Sequence, residues 1–394
     1  MNTKILIIYT NSDPATELSI LFFERFSKHI GAMLSVKCMK DIKRNDVDSC
    51  DVLVSIRTQN YCEVSIIQYA KRQGKMYGLV LDDDFLAIPN YKTRRFVQYC
   101  ALTKCIKYAD VLFCTNESLG NKLQRLSLQG KYVRTDTTVN VEEISAYKNV
   151  RDDIIKIVYY VNDGSLYSYN AIVKPLIDKL RLRIDINIEW HFIGIKPELN
   201  AEIKKNVHLY DHMSLQDFKR TLAESGFTFG IAPLLDNEFN NGKYVNKFIE
   251  FTCAGLPCIY SNVEPYSSFI RNNIDGILVD NNSEWIKAII GMRDQSIRKK
   301  IVNNAQSRIL KEMSCEAVFE RIIEQFPSIK EFKCNRKAAT MIDKCVWLYH
   351  RVWGRSIMIT DLMFRIRGRL KCEGFKSLVT YSLQRLGNGG QRDE

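Results

Sequence analysis

The first part of the chain alternates between short apolar runs and longer segments with helical periodicity. The apolar runs cover residues 4–9, 34–39, 52–56, 76–81 and 111–114, a pattern typical of strands buried on both faces of a parallel sheet. Segments 63–72 and 94–108 predict helices, and another helix is expected after residues 11–14, with Thr16 as its N-cap. This alternation predicts a β-α-β-α chain with helices on both faces of a parallel sheet.

The same pattern restarts after the polar residues 151–153. The predicted strands are 154–161, 186–193, 207–210, 228–233, 258–261 and 276–279, and the predicted helices are 169–182, 215–224, 245–253, 284–292 and 297–313. We therefore expect an α/β protein with two tandem Rossmann-like domains, 1–145 and 151–328, facing a cleft, and a basic helical extension, 331–394. Ligands bind beyond the carboxyl ends of strands in such sheets, which places the expected site there.

The segment 231–266 carries the most informative chemistry. A polar loop, 236–242, follows a predicted strand, and a helix begins near residue 245. The first turn of a helix favours an anion, because its N–H groups have no partner within the helix and its dipole is positive there. Lys247 lies in that turn, and Glu250 shares its face three residues later. The pair predicts either a surface ion pair or contacts of the ammonium to a diphosphate and of the carboxylate to a ribose.

Residues 246–261, Asn246-Lys-Phe-Ile-Glu-Phe-Thr-Cys-Ala-Gly-Leu-Pro-Cys-Ile-Tyr-Ser261, resemble the donor-binding signature of GT-B glycosyltransferases. In particular, they resemble the enzymes of bacterial surface-polysaccharide assembly, and the similarity continues through Glu264-Pro-Tyr266 and Asp275-Gly-Ile-Leu-Val279. The resemblance implies the GT-B fold, a nucleotide-sugar donor, and a bond from Glu250 to the nucleotide ribose. It also implies donor-binding roles for Lys247 and Asn246.

Three features depart from the family pattern, and one is the loop after the first strand, which is often glycine-rich in the family and is Asn11-Ser12-Asp13-Pro14 here. Many retaining members carry a glutamate eight residues before the ribose glutamate, where this chain has Gly242. Either the backbone N–H of Gly242 approaches the sugar, or Glu238 replaces the missing carboxylate. A basic residue follows the first strand of the second domain in many relatives, whereas Asn162-Asp-Gly-Ser165 stands here, so Gly164 and Ser165 are candidate N–H and hydroxyl donors.

Three consecutive acidic residues, 82–84, follow the apolar run 76–81. They predict a solvated turn, a metal site, or a group that orients an acceptor hydroxyl or removes its proton, and we expect Asp83 or Asp84 in the last role. No Asp-x-Asp stands where a metal–diphosphate bridge is expected, so we assign no residue to a metal. Lys247 and the helix N-terminus would then stabilise the leaving diphosphate.

The charge of the chain is concentrated in its extension. The net charge is +12, and residues 331–394 contain 13 Lys or Arg against 6 Asp or Glu. Trp347 and Trp353 lie among these basic residues. The extension therefore predicts either a helix packed on the body or an interfacial segment drawn to anionic lipid; nucleic acid is not an expected partner.

No apolar run is long enough to span a bilayer, no signal peptide is recognised, and the 12 cysteines are scattered. These features predict a cytoplasmic protein, with peripheral attachment to the inner face of the membrane if the extension binds lipid.

Together these observations predict a metal-independent, hexosyltransferase-like enzyme that moves a sugar from a nucleoside-diphosphate sugar to a saccharide acceptor. Cell-surface polysaccharide or O-antigen biosynthesis is the expected setting, a polyprenyl-diphosphate-linked saccharide the expected acceptor, and no cofactor is expected. Two alternatives remain: a catalytically inactive GT-B paralogue that acts as an assembly partner, and a sugar-nucleotide epimerase of the same fold.

Overall fold

The chain forms two compact units, each with its own six-stranded parallel sheet. The computed structural model describes residues 2–88, 90–148, 153–161, 166–183, 187–199, 201–329, 341–349, 351–360 and 362–363. The first unit contains Met1–Leu81, Phe85–Arg134 and Ile323–Glu394, and the second contains Asp82–Asp84 and Thr135–Ile322.

The first unit has the strand order β2-β1-β3-β4-β5-β6, and every pair is parallel. Its strands are β1 (Lys4–Tyr9), β2 (Met33–Cys38), β3 (Val52–Ile56), β4 (Met76–Leu81), β5 (Val111–Cys114) and β6 (Lys131–Arg134). Its helices are α1 (Pro14–His29), α2 (Arg44–Ser49), α3 (Tyr61–Arg72), α4 (Tyr91–Arg94), α5 (Phe96–Tyr108) and α6 (Glu117–Leu126). β3 and β4 are buried throughout, as the continuous apolar runs predicted.

The second unit has the strand order β12-β11-β10-β7-β8-β9, again parallel throughout. Its strands are β7 (Ile155–Tyr160), β8 (Ile188–Ile193), β9 (Val207–Tyr210), β10 (Phe229–Ala232), β11 (Cys258–Ser261) and β12 (Ile277–Val279). Its helices are α7 (Lys174–Leu180), α8 (Ala201–Lys204), α9 (Leu215–Glu224), α10 (Glu238–Asn241), α11 (Asn246–Cys253), α12 (Tyr266–Phe269), α13 (Asn282–Gly291) and α14 (Gln295–Glu312), and α15 (Cys315–Gln325) follows them.

The α/β architecture with two Rossmann-like sheets is therefore confirmed.

The N-cap predicted for α1 was wrong. Asp13 caps this helix, and its Oδ1 atom accepts a 2.7 Å hydrogen bond from the backbone N–H of Thr16. The helix begins before Thr16 because Pro14 occupies its first turn, where the fixed φ angle of proline suits a helix and its missing N–H costs nothing.

The chain enters the second unit at Thr135, before the predicted limit at residue 145. The backbone N–H of Val139 donates to the carbonyl of Met313, and that of Ser145 donates to the carbonyl of Cys253. These bonds attach the connecting segment to the helices of the second unit.

The described part of the C-terminal extension is helical and packs on the first unit. It covers residues 341–349, 351–360 and 362–363. The ring of Trp347 meets that of Tyr69 edge-on at 5.0 Å, and the ring of Trp353 meets that of Tyr61 at 5.4 Å. Packing on the body, one of the two interpretations of the extension, therefore holds for these residues. None of the described helices is both long and apolar enough to cross a membrane.

Candidate functional site

The topology of the second sheet singles out the carboxyl ends of β7 and β10. From β7 the chain proceeds to β8 and β9 on one side, and then returns to place β10 on the other side of β7. At such a switch point the loops that leave the two strands run in opposite directions and leave room for a ligand. Tyr160 is the last residue of β7, and Ala232 is the last residue of β10.

Helix α11 follows the loop that leaves β10. Its buried residues are Phe248, Ile249, Phe251 and Thr252, whereas Lys247 and Glu250 are partly exposed. The helix ends before Gly255, which has a φ angle of +71°. A Cβ atom there would lie 2.8 Å from the carbonyl oxygens of Ser145 and Ala146, so glycine is required for both conformation and space.

Lys247 lies in the first turn of α11 and reaches the end of β7. Its Nζ atom donates a hydrogen bond to the backbone carbonyl of Tyr160 and lies 3.7 Å from the centre of the Tyr160 ring. The ammonium group is therefore held over the carboxyl edge of the sheet by a carbonyl and an aromatic face.

Glu250, one turn later on α11, meets the other end of the same tyrosine. The hydroxyl group of Tyr160 donates a hydrogen bond to Glu250 Oε2. Burial raises the pKa of Glu250 to about 8, because a charged carboxylate loses hydration there. The carboxyl group is thus largely protonated at neutral pH and can both donate and accept hydrogen bonds.

The sequence interpretation did not identify Tyr160, although this residue connects Lys247 to Glu250. Its ring is buried against Phe218 at 4.7 Å and Phe251 at 5.5 Å. The only available signal was its position as the last described residue of β7, at the strand end where ligands bind in this class of sheet.

Of the other predicted donor residues, Asn246 and Glu238 lie at the starts of two helices. Asn246 is exposed at the first position of α11, and Glu238 is exposed at the first position of α10. α10 lies within the segment predicted as a polar loop, and Asn237 caps it by accepting a bond from the N–H of Asn240. Gly164 and Ser165 lie outside the described residues.

Gly242 and the acidic run 82–84 lie together in the second unit, whereas the sequence interpretation gave the acidic run to the first domain. A Cβ atom on Gly242 would lie 2.7 Å from the Cβ atom of Asp84. Beside it, Lys243 Nζ is 3.8 Å from Asp83 Oδ1. The glycine therefore stands where Asp84 approaches the backbone, and both predicted acids border the loop that precedes α11.

A second buried carboxyl group lies at the carboxyl edge of the first sheet and was also missed. Glu63, in the first turn of α3, accepts a 2.7 Å hydrogen bond from the hydroxyl of Thr10, the residue after β1. Burial raises its pKa to about 7, and hydrogen bonds from Thr10 and the nearby backbone only partly offset this effect. The sequence showed Glu63 only as the first residue of a predicted helix.

The fold of this chain is similar to those of several solved structures. No family model and no curated protein matches the sequence. Among solved structures, HepE of Anabaena in complex with UDP and glucose has a TM-score of 0.58 at 12% identity, covering 83% of this chain and 100% of that one. Sucrose-phosphate synthase of Thermosynechococcus elongatus has a TM-score of 0.58 at 10% identity, covering 83% and 99%. The lipopolysaccharide outer core galactosyltransferase WaaB has a TM-score of 0.55 at 13% identity, covering 83% and 100%.

At these identities the similarity establishes the fold alone. The chain has the GT-B fold, as the resemblance of residues 246–261 implied.

Proposed function

We propose that this protein is a glycosyltransferase that moves a sugar from a nucleoside-diphosphate sugar to a saccharide acceptor. The observation that carries the proposal is the convergence of Lys247 and Glu250 on Tyr160, at the switch point of the second sheet. Two of the similar solved structures, HepE with UDP and HepE with UDP-glucose, support a nucleotide-sugar donor.

In this proposal the donor site has two parts. Glu250 binds the ribose hydroxyls, and Tyr160 holds its carboxyl group in place. Lys247 and the N-terminus of α11 face the diphosphate and stabilise the negative charge that develops as it leaves, without a metal. Glu238 or the backbone of Gly242 is proposed to contact the sugar, and Asn246 is proposed to bind the donor.

Asp83 and Asp84 are proposed to act on the acceptor. The acceptor hydroxyl attacks the anomeric carbon, the bond from that carbon to the diphosphate oxygen breaks, and the hydroxyl proton passes to a base. Asp83 or Asp84 is the proposed base, or orients the hydroxyl while the leaving diphosphate takes the proton. Lys243 Nζ lies 3.8 Å from Asp83 Oδ1, beside this proposed base.

We propose that the protein is cytoplasmic and that its extension attaches it to the inner face of the membrane. Opposite the face that carries Trp347 and Trp353, its helix exposes an apolar stripe: Met341, Ile342, Leu348, Tyr349, Val352, Ile359 and Met363. Ile342 is 67% exposed and Val352 is 56% exposed. We propose that this stripe inserts into an anionic lipid surface, because the surrounding segment carries most of the excess positive charge. A membrane surface also suits a polyprenyl-diphosphate-linked acceptor in surface-polysaccharide biosynthesis.

Calorimetric titration with UDP, GDP, ADP and their glucose conjugates tests the donor assignment. We expect the full chain to bind one nucleoside diphosphate selectively, and Glu250→Ala to weaken that binding. Glu224→Ala, which removes an exposed carboxylate from the last position of α9, is the matched control and should bind like the native chain. Failure of every nucleotide to bind would refute the proposal.

The inactive paralogue is favoured by one observation, the close approach of Asp84 to Gly242, which leaves no space for the glutamate of many retaining relatives. Nucleotide binding does not distinguish the two functions, but turnover does. Release of the nucleoside diphosphate in the presence of a lipid-linked saccharide pool is expected of the enzyme. Tight binding without any release of product would favour the assembly partner.

A further inference from the structure

Three potential metal ligands lie together at one edge of the second sheet, apart from the residues assigned to the donor. Glu189 and His191 are two residues apart on β8 and therefore point to the same face. His208 lies on β9, the edge strand, directly opposite His191 in the parallel register. One ligand atom from each of the three side chains lies within 4.8 Å of the others.

The distances in this cluster are too long for good hydrogen bonds and suit a shared ion. Glu189 Oε2 is 3.6 Å from His191 Nε2 and 3.7 Å from His208 Nε2. Ligand atoms around a tetrahedral zinc ion, bound at about 2.0–2.1 Å, are separated by about 3.4 Å. The carboxylate oxygen therefore already lies near the required spacing from both nitrogens.

His191 is held in an orientation that leaves one nitrogen for such an ion. The residue is 5% exposed, its Nδ1 atom lies 3.1 Å from the hydroxyl of Tyr210, and its other face packs against Phe227. Among the described residues, Nε2 has no hydrogen-bond partner, which is costly for a buried polar atom. A hydrogen bond at one ring nitrogen fixes the tautomer and directs the lone pair of the other, as in many metal sites.

The remaining neighbours are compatible with a cation. Lys156 is the nearest competing charge, with Nζ 4.0 Å from Glu189 Oε2, and its partly exposed side chain can turn to solvent. The His208 ring stacks nearly parallel on that of His191 at 4.5 Å, so joint ligation requires the His208 ring to rotate until its Nε2 atom points at the ion. The His208 side chain is 47% exposed, which leaves room for this rotation.

We propose that Glu189, His191 and His208 form a zinc site that joins the short edge strand β9 to β8. Two imidazole nitrogens and one carboxylate oxygen favour zinc over magnesium or calcium, which prefer oxygen ligands alone. Water completes the coordination on the exposed side of His208. The sequence interpretation assigned no residue to a metal and did not consider Glu189, which becomes a neighbour of His208 only through the pairing of β8 with β9.

Zinc titration of the metal-free full chain against a chromophoric chelator tests this site. We expect one zinc ion per chain at micromolar affinity or better, and a loss of at least tenfold in His208→Ala and in Glu189→Gln. Both side chains are partly exposed, so these variants should fold, whereas His191 is part of the core. His29→Ala, which removes an exposed histidine from the first unit, is the matched control and should bind zinc like the native chain.

Cobalt substitution separates this site from the cysteines, several of which are free thiols. Cobalt bound by nitrogen and oxygen gives weak visible bands without the intense near-ultraviolet absorption of thiolate ligands. Zinc should also raise the melting temperature of the native chain but not that of His208→Ala. Undiminished affinity in both variants, thiolate absorption from the bound cobalt, or no binding of zinc by the native chain would overturn the proposal.

Discussion

Asp84 approaches the backbone of Gly242 so closely that a Cβ atom on the glycine would lie 2.7 Å from the Cβ atom of the aspartate. The φ angle of Gly242 is −83°, which any residue adopts, so space rather than conformation requires the glycine. This contact joins a predicted acceptor residue to the loop that precedes the proposed donor helix.

Gly242→Ala should therefore destabilise the protein by about 1–3 kcal/mol. The new methyl group would clash with the Cβ atom of Asp84, which can move only together with its backbone. Denaturant unfolding measures this loss. Gly291→Ala is the matched control, since a Cβ atom at Gly291, in α13, meets nothing within 4 Å. The control should be neutral or stabilising by up to about 1 kcal/mol. Equal effects of the two substitutions would show that Asp84 does not restrict this position.

Glu250→Ala should weaken nucleotide binding by about ten- to a hundredfold. Losing a hydrogen bond to a charged group typically costs about 1.5–3 kcal/mol, and the buried face of α11 is formed by other residues. Titration calorimetry measures the affinity, and thermal unfolding shows whether the fold is retained. An affinity equal to that of the native chain would refute the ribose assignment.

Nucleotide binding should release a proton between pH 7 and 8. The pKa of Glu250 is raised to about 8 in the free protein, and ribose hydroxyls donate best to the ionised carboxylate, so the ligand favours loss of its proton. The affinity should accordingly rise with pH up to about 8. Titration in buffers of different ionisation enthalpy measures the released proton, and Glu250→Gln should abolish this contribution.

Replacing Asp83 and Asp84 together by Asn should lower turnover about a hundredfold if one of them removes the acceptor proton. Nucleotide affinity should change less than about threefold, because Lys247 and Glu250 remain in place. Asp211→Asn, which removes an exposed charge, is the control. Asp84 is buried, so thermal unfolding must accompany the kinetics. Normal turnover of a folded double variant would leave only a structural role for the acidic run.

Glu63 should give the first unit a measurable pH dependence of stability. Its pKa rises from 4.5 to about 7 on folding, so the folded state binds the proton more tightly and stability falls as the pH increases through this range. His191 contributes the opposite slope, since its pKa falls from 6.5 to about 4 on folding. The difference between the native chain and Glu63→Gln isolates the first effect, which should reach about 3 kcal/mol. A constant difference across this pH range would contradict the prediction.

The triple substitution of Leu348, Val352 and Ile359 by Gln should reduce binding to anionic vesicles at least about tenfold, because burying each apolar side chain contributes about 1.5–3 kcal/mol. Leu128→Gln is the control, since Leu128 is 77% exposed but lies outside the extension. Co-sedimentation at low and high salt measures binding, which should weaken with salt. Equal sedimentation of the native chain and the triple variant would count against the proposed binding of the extension to lipid.

Removing residues 335–394 is a less informative experiment, because it would uncover the rings that contact Trp347 and Trp353.

The sequence by itself determined the order of most strands and of the longer helices, because burial on both faces demands continuous apolar runs and a helix demands its own period. The edge strand β6 and the helix α6 were not predicted from it. It also determined that Lys247 and Glu250 share one face of α11, since that relation depends only on residues three apart. Local capping was harder to predict, and the first helix begins at Pro14 rather than after Thr16.

Only the tertiary structure decided which residues meet across different segments. Tyr160 contacts both Lys247 and Glu250 from a strand about 90 residues away, and the contact of Asp84 with Gly242 spans a still longer stretch of chain. Glu189 and His191 gain His208 through the register of two parallel strands. Such contacts depend on the packing of the whole sheet and its loops, and local spacing carries no information about which distant residue completes them.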